Sequence, residues 1–278
     1  LHYEDLGNEA DPPVLLIMGL GAQLTLWHNE FCGKLVDRGY RVIRFDNRDV
    51  GLSQRFDHLG VPNIAAGGIK HLLGMSVASP YRLADLADDT AALIDALGLQ
   101  SAHVCGASMG GMVAQHLAVR HPQRVRSLTL MMTTSGARRL PQPGWKVRMA
   151  LMSRPENSRD LDSVIEHFVR LYGVIGSPGY PPEPATLRER LAMSVKRSYR
   201  PAATARQLMA IVADGDRTPM LAQIRQPTQI VHGLADPLVP VEAGGQPARR
   251  IAGAQIDLTD GMGHDLPQPL WPRFAADI

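Results

Sequence analysis

Short apolar runs alternate with helical patterns through the first half of the chain, and this rhythm limits the fold more than any other feature. "PVLLIMG" (Pro13 to Gly19) reads as a buried strand ending in glycine, and "YRVIRFD" (Tyr40 to Asp46) as the next strand. Between them "LTLWHNEFCGKLVDRG" has helical spacing at Trp27, Phe31, Leu35 and Val36 and stops at a glycine. "YRLADLADDTAALIDALGL" places Leu83, Leu86, Thr90, Leu93, Ile94 and Leu97 on one helical face. "SAHVCG", "MGGMVAQHLAVRHP" and "VRSLTLMMTT" then read as strand, helix and strand. Such alternation predicts βαβ crossovers, hence an α/β fold with a mostly parallel central sheet flanked by helices.

The rhythm breaks near Gly136. As far as about Gln223 the pattern is helical but irregular, with "PQPG" and "GSPGYPPEP" as breakers, and β-branched runs are absent. It resumes with the strands "PTQIVHG" and "AQIDLTDG". A stretch this long exceeds any ordinary loop. The expected division is a core of residues 1–135 and 224–278 and a helical cap of residues 136–223. A smaller insertion, rich in Gly and Pro, lies around Arg55 to Pro80.

The stretch "VCGASMGG" fences Ser108 with Gly106, Ala107, Gly110 and Gly111. Ser108 falls on the turn between a strand and a helix. A turn that tight strains the serine backbone, and side chains two residues before and after would collide with the neighbouring strand and helix. The strain pushes the hydroxyl out at the carboxyl end of the sheet. It also leaves the N–H of Met109 free at a helix N-terminus, where an anion can bind. The small residues present a nucleophile.

A serine hydroxyl needs a base to take its proton. Of the ten histidines, His28, His103, His116 and His121 fall in or beside strands and helices and read as structural. His264 lies in "DGMGHDLP", a loop just after the last strand, and loops at strand carboxyl ends gather in such a sheet. The base in turn needs a carboxylate to hold its tautomer. Asp236, Asp260 and Asp265 are in loops. Asp236 follows the strand "TQIVHG", one strand earlier, whereas Asp260 and Asp265 are too close to His264 along the chain to reach back easily. The order Ser108, Asp236, His264 is the order of one fold in particular.

With these residues in hand, the chain resembles an α/β-hydrolase of the capped bacterial carboxylesterase and methylesterase type. "FDNRDVGLS" is similar to the family's D-x-R-x-x-G-x-S turn, and "GASMGG", "GLADPLVP" and "GMGHDLP" to its nucleophile, acid and histidine segments. "MGLG" stands where the family carries a His-Gly oxyanion motif, with Met18 for the usual histidine. The resemblance implies a second oxyanion donor in the N–H of Leu20, beside that of Met109, with Gly19 and Gly21 allowing close approach. It implies a serine hydrolase acting on small to medium carboxylic esters. Within the same fold, lactone or carbon–carbon hydrolysis and perhydrolysis are the alternatives, as is a ligand receptor that retains the three residues.

Other classes fit poorly. "GLGAQL" has two of the three glycines of a dinucleotide-binding turn, and no acidic residue beyond Asp46 follows the next strand, so no cofactor is expected. His and carboxylate residues show no metal-ligand spacing. The 29 basic and 27 acidic residues are mixed, with no block that would track a nucleic acid backbone. No apolar run approaches a membrane span. Cys32 and Cys105 read as reduced thiols of a cytoplasmic chain. The expected partner is a small-molecule ester. The methionines Met149, Met152, Met193, Met209 and Met220 read as core filler, and Trp145, Leu151, Phe168, Leu171 and Met193 as apolar residues of the cap that cover the pocket mouth.

Overall fold

Strands β1 (His2–Leu6), β2 (Pro13–Ile17), β3 (Arg41–Asp46), β4 (Ala102–Ala107), β5 (Val125–Met131), β6 (Thr228–Gly233) and β7 (Gln255–Thr259) form one sheet in the order β1-β3-β2-β4-β5-β6-β7. The computed structural model describes all residues from 1 to 278. Only β1 runs antiparallel, against β3; every other pair is parallel. All residues of β2 and β3 are buried, as expected of interior parallel strands covered on both faces. Along β2 the pleat sends Leu15 and Ile17 into one core layer and Val14 and Leu16 into the other.

Helices α1 (Asn29–Val36), α2 (Ile64–Leu72), α3 (Leu83–Ala96) and α4 (Met109–Arg120) lie within the first five strands' connections. The face of α3 read from the sequence, including Leu83, Leu86, Thr90, Leu93 and Ile94, is buried. "LTLWHNEFCGKLVDRG" divides into a short 3₁₀ turn at Leu24–Leu26 and α1, because the backbone opens to extended angles at Trp27 and His28. Between β5 and β6 lie five helices, α5 (Trp145–Met152), α6 (Leu161–Ile175), α7 (Pro184–Arg197), α8 (Pro201–Asp214) and α9 (Thr218–Leu221). Two short helices, α10 (Val241–Gly244) and α11 (Gln246–Arg250), precede β7, and α12 (Trp271–Asp277) packs beside α1.

The α5–α9 segment has a small core of its own, where α6 and α7 bury Val164, Ile165, Leu191 and Val195. Polar ties fasten it to the sheet. Arg206 of α8 is buried and forks onto the Asp49 carboxylate at 2.6 and 2.8 Å. Arg197 of α7 pairs with the buried Asp46 at 2.8 Å, and the Gln23 amide donates to the carbonyls of Ser194 and Ser198.

The methionines of this segment do not behave as filler throughout. Met209 is buried, but Met149, Met152 and Met193 are 61%, 78% and 59% exposed. Trp145 and Leu151 are also exposed, so only part of the segment's apolar surface covers anything.

His28, with its ring 5.1 Å from that of Trp271, makes the fold sensitive to acid. Burial first, and then the Arg190 guanidinium, hold its pKa down at about 4. The native ring is therefore neutral, whereas in the unfolded chain it takes up a proton below about pH 6.5. Stability from this residue is complete above that pH and is lost as pH falls toward 4. Roughly 2 kcal/mol should go between pH 7 and pH 5. Denaturant melts of His28→Gln should show a correspondingly smaller loss across that interval than the parent.

Candidate active site

Ser108 closes β4 and opens α4 with φ 55° and ψ −119°, a left-handed-side conformation that costs a non-glycine residue energy. The glycines around it are demanded by packing. A Cβ on Gly106 would stand 2.3 Å from the Gly110 carbonyl oxygen, and one on Gly110 would stand 2.1 Å from that of Ile17. The elbow is pinned further by the Ser108 N–H donating to Met131 O at 2.9 Å and by the Thr133 hydroxyl donating to Ser108 O at 2.7 Å.

The structure brings the three sequence-predicted side chains together. His264 Nε2 is 3.0 Å from Ser108 Oγ, and His264 Nδ1 is 2.7 Å from Asp236 Oδ2. Asp236 is buried in the turn after β6, where its Oδ1 accepts the N–H groups of Leu238 and Val239, each at 2.8 Å. Its two oxygens are thus divided between backbone and histidine.

The loop after β2 lies against the serine. A Cβ on Gly19 would be 3.2 Å from Ser108 Cβ and 3.7 Å from its Oγ. Leu20 N–H has no protein acceptor, and Met109 N–H is an unpaired first-turn donor of α4. The sequence reading takes these two N–H groups as the oxyanion donors.

Several supporting residues were not legible in the sequence. The Asn47 amide donates to Met18 O at 3.0 Å, while Gln207 of α8 accepts from Gly21 N–H at 2.9 Å and donates to Arg48 O at 3.0 Å. These bonds hold the loop after β2 from two sides. His232 is fully buried, 3.8 Å from Asp236 Oδ2, and hydrogen-bonds Val239 O at 2.8 Å. Burial lowers its pKa, so it stays neutral and leaves Asp236 to His264.

The histidine loop is clamped by the end of α6. His264 N–H donates to Ile175 O at 2.8 Å, and Gly179 N–H donates to Gly261 O at 2.9 Å. The Ser177 hydroxyl accepts from Gly263 N–H at 2.8 Å and donates to the Asp265 carboxylate. Burial pushes Asp265 above the usual carboxylate range, with the Ser177 bond opposing it. Asp265 therefore serves the loop rather than the His264 ring. Asp260 accepts only from Gly261 N–H.

Beside the acid, a cavity of about 500 Å³ is lined by Met112, Thr134, Ile211, Leu238 and Val239 among others, with no acidic residue in its wall. No group of histidine, cysteine and carboxylate side chains is arranged to hold a metal ion.

Residues 12–266 match the alpha/beta hydrolase fold family. The chain belongs to this family. A protein similar to it along its whole length is rhodomycin D methylesterase DauP of a Streptomyces species. That enzyme is 27% identical over 298 residues, covering 100% of this chain and 93% of the relative. Among solved α/β-hydrolase structures, a hydrolase from Pseudomonas aeruginosa superposes with a TM-score of 0.64 at 26% identity, over 92% of this chain and 84% of that one. A meta-cleavage product hydrolase from Pseudomonas fluorescens superposes with a TM-score of 0.72 at 20% identity, over 99% and 90%. The protein is a hydrolase of this fold. The fold read from the sequence, a mostly parallel sheet flanked by helices, is the one found.

Proposed function

We propose that this hydrolase cleaves small to medium carboxylic esters through an acyl-enzyme, with Ser108 as nucleophile, His264 as general base and then acid, and Asp236 as the orienting carboxylate. The observation that carries the reading is the hydrogen-bonded chain from Ser108 Oγ through His264 to Asp236, at 3.0 and 2.7 Å. As Ser108 Oγ attacks the ester carbon, its proton passes to His264 Nε2. The carbonyl oxygen becomes an oxyanion and takes hydrogen bonds from the N–H groups of Leu20 and Met109. Collapse breaks the ester bond, and the Nε2 proton leaves with the alcohol. Water then attacks the acyl-serine, giving its proton to Nε2, and Ser108 departs with that proton restored. Asp236 keeps Nδ1 protonated throughout, so that Nε2 is the nitrogen free to accept.

The α5–α9 segment acts as a cap over this site. Its α8 braces the loop after β2 through Gln207, and the end of α6 clamps the His264 loop. The cavity of about 500 Å³ reaches the acid turn at Leu238 and Val239, while Ser108, Met109, Leu20 and His264 are not in its wall. The similarity to a methylesterase favours ester cleavage over lactone or carbon–carbon cleavage. Nitrophenyl esters from acetate to palmitate test this reading. Catalytic efficiency should peak at or below about eight carbons, since a cap lying over the serine limits the room for each further methylene. A maximum at the longest chain refutes the confined pocket, and no turnover of any ester refutes the esterase assignment.

A further inference from the structure

Two helices at the cavity mouth turn their apolar faces outward. On α5, Trp145, Met149 and Met152 share one face at i, i+4 and i+7 and are 72%, 61% and 78% exposed, while Val147 is the buried residue. On α2 and its C-cap, Ile69, Leu72 and Leu73 share a face and are 59%, 84% and 70% exposed. An amphipathic helix of a globular protein ordinarily buries that stripe. The two helices reach the same cavity. Leu72 and Arg148 line the same cavity, and the Arg138 guanidinium lies 2.9 Å from where a Cβ on Gly74 would be.

The charge around this surface is mostly basic, with Glu156 the nearest acid along the chain. Lys70, Arg138, Arg139, Lys146, Arg148 and Arg154 are all exposed, and none is in an ion pair. By contrast, ten arginines and four histidines elsewhere pair with carboxylates at the surface or in the core, among them Arg120 with Asp88 and Arg188 with Glu166. No acidic residue occurs between Asp57 and Asp85 or between Asp95 and Glu156, the two stretches that build the surface.

We propose that this face docks on an anionic lipid surface, with the α2 and α5 side chains entering the headgroup boundary and the basic side chains pairing with lipid phosphates. A protruding apolar face ringed by unpaired cations is the pattern of an interfacial helix. A second copy of the same face would bring like charges together. A single small substrate would leave most of the surface uncovered, since Trp145, Met149 and Met152 lie outside the cavity wall. The inference rests on the site reading only in placing the cavity mouth at the bilayer; the docking itself requires no catalysis.

Trp145 reports on it directly, because the other two tryptophans, Trp27 and Trp271, are buried. Titrating the full chain with phosphatidylcholine vesicles containing phosphatidylglycerol should shift Trp145 emission to the blue and sediment the protein with the lipid. Pure phosphatidylcholine vesicles, or high salt, should abolish most of this. Lys146→Glu with Arg154→Glu should lower partitioning by at least about tenfold, and Leu73→Ser with Met152→Ser should remove the blue shift. All four substitutions should leave hydrolysis of a soluble short-chain nitrophenyl ester unchanged. No shift with anionic vesicles, equal partitioning into neutral and anionic vesicles, or unaltered binding by the variants overturns the proposal. An unreactive ester with intact vesicle binding would count against the esterase reading alone.

Discussion

Ser108→Ala should reduce kcat toward short-chain esters on the order of 10⁵-fold to 10⁶-fold, because nucleophile, base and carboxylate act as a unit. The fold should survive. Ser108 is only partly buried, and the hydrogen bond its hydroxyl makes to a side chain is the one with His264. Its backbone bonds to Met131 and Thr133 do not involve the side chain. The left-handed φ of 55° is as demanding for alanine as for serine. The melting temperature should therefore stay unchanged or rise slightly, since nucleophiles held in strained sites commonly trade stability for function. Residual rate above that of water would come from the Leu20 and Met109 donors. A folded Ser108→Ala protein keeping more than about a tenth of the activity would place the nucleophile elsewhere.

Different parts of this site were legible to different degrees. The elbow could be read from "GASMGG" because its constraints are local. Gly106 and Gly110 meet backbone atoms of the same strand–turn–helix unit and its neighbouring strand, so sterics write directly into residue type. Ser108, Asp236 and His264 could be assigned to three strand ends because parallel topology gathers those ends whatever the loops do. The braces of the loop after β2 left no such trace. Gln207 meets Gly21 across 186 positions, and a glutamine on an irregular helix looks like any solvated residue. Ser177 is similar: one hydroxyl after a helix, in a Gly- and Pro-rich stretch, joins a loop 88 positions away.

The α5–α9 segment went further astray for a physical reason. Hydrophobic periodicity says that a helix has an apolar face, and nothing about which way the face turns. Phe168 packs against the α6–α7 core, as such a face should. Trp145, Met149 and Met152 have the same spacing and lie in the open. Burial on folding is the default inference from such a stripe, and the contrast between α6 and α5 locates where the default fails. It fails beside the cavity mouth, where the neighbouring charge is mostly basic. Surface that contradicts the ordinary rule in this way marks an interaction more often than an accident.

Asp236→Asn should cost activity on the order of 10³-fold to 10⁴-fold while barely altering shape. The reason lies in how Asp236 divides its two oxygens. Oδ1 accepts two backbone N–H groups, from Leu238 and Val239, and Oδ2 faces His264 Nδ1 at 2.7 Å. An asparagine can satisfy only one side. With its amide oxygen toward the two backbone donors, its NH₂ points at the imidazole, and Nδ1 must give up its proton to accept. The proton then sits on Nε2, facing Ser108 Oγ at 3.0 Å, and the ring can no longer take the serine's proton. With the amide reversed, the NH₂ meets two N–H donors in a buried turn, an arrangement that costs about 1–3 kcal/mol for each polar group left unpaired. The first orientation should win, so the variant should fold and bind ester with little change in KM but lose kcat. His232 cannot replace the lost carboxylate, because an imidazole carries no negative charge and its Nε2 is engaged with Val239 O. Steady-state kinetics of Asp236→Asn on a nitrophenyl ester separate the two parameters. A large rise in KM with kcat intact would mean that Asp236 supports binding rather than the tautomer of His264. Activity within about tenfold of the parent would mean that the histidine takes its orientation from elsewhere.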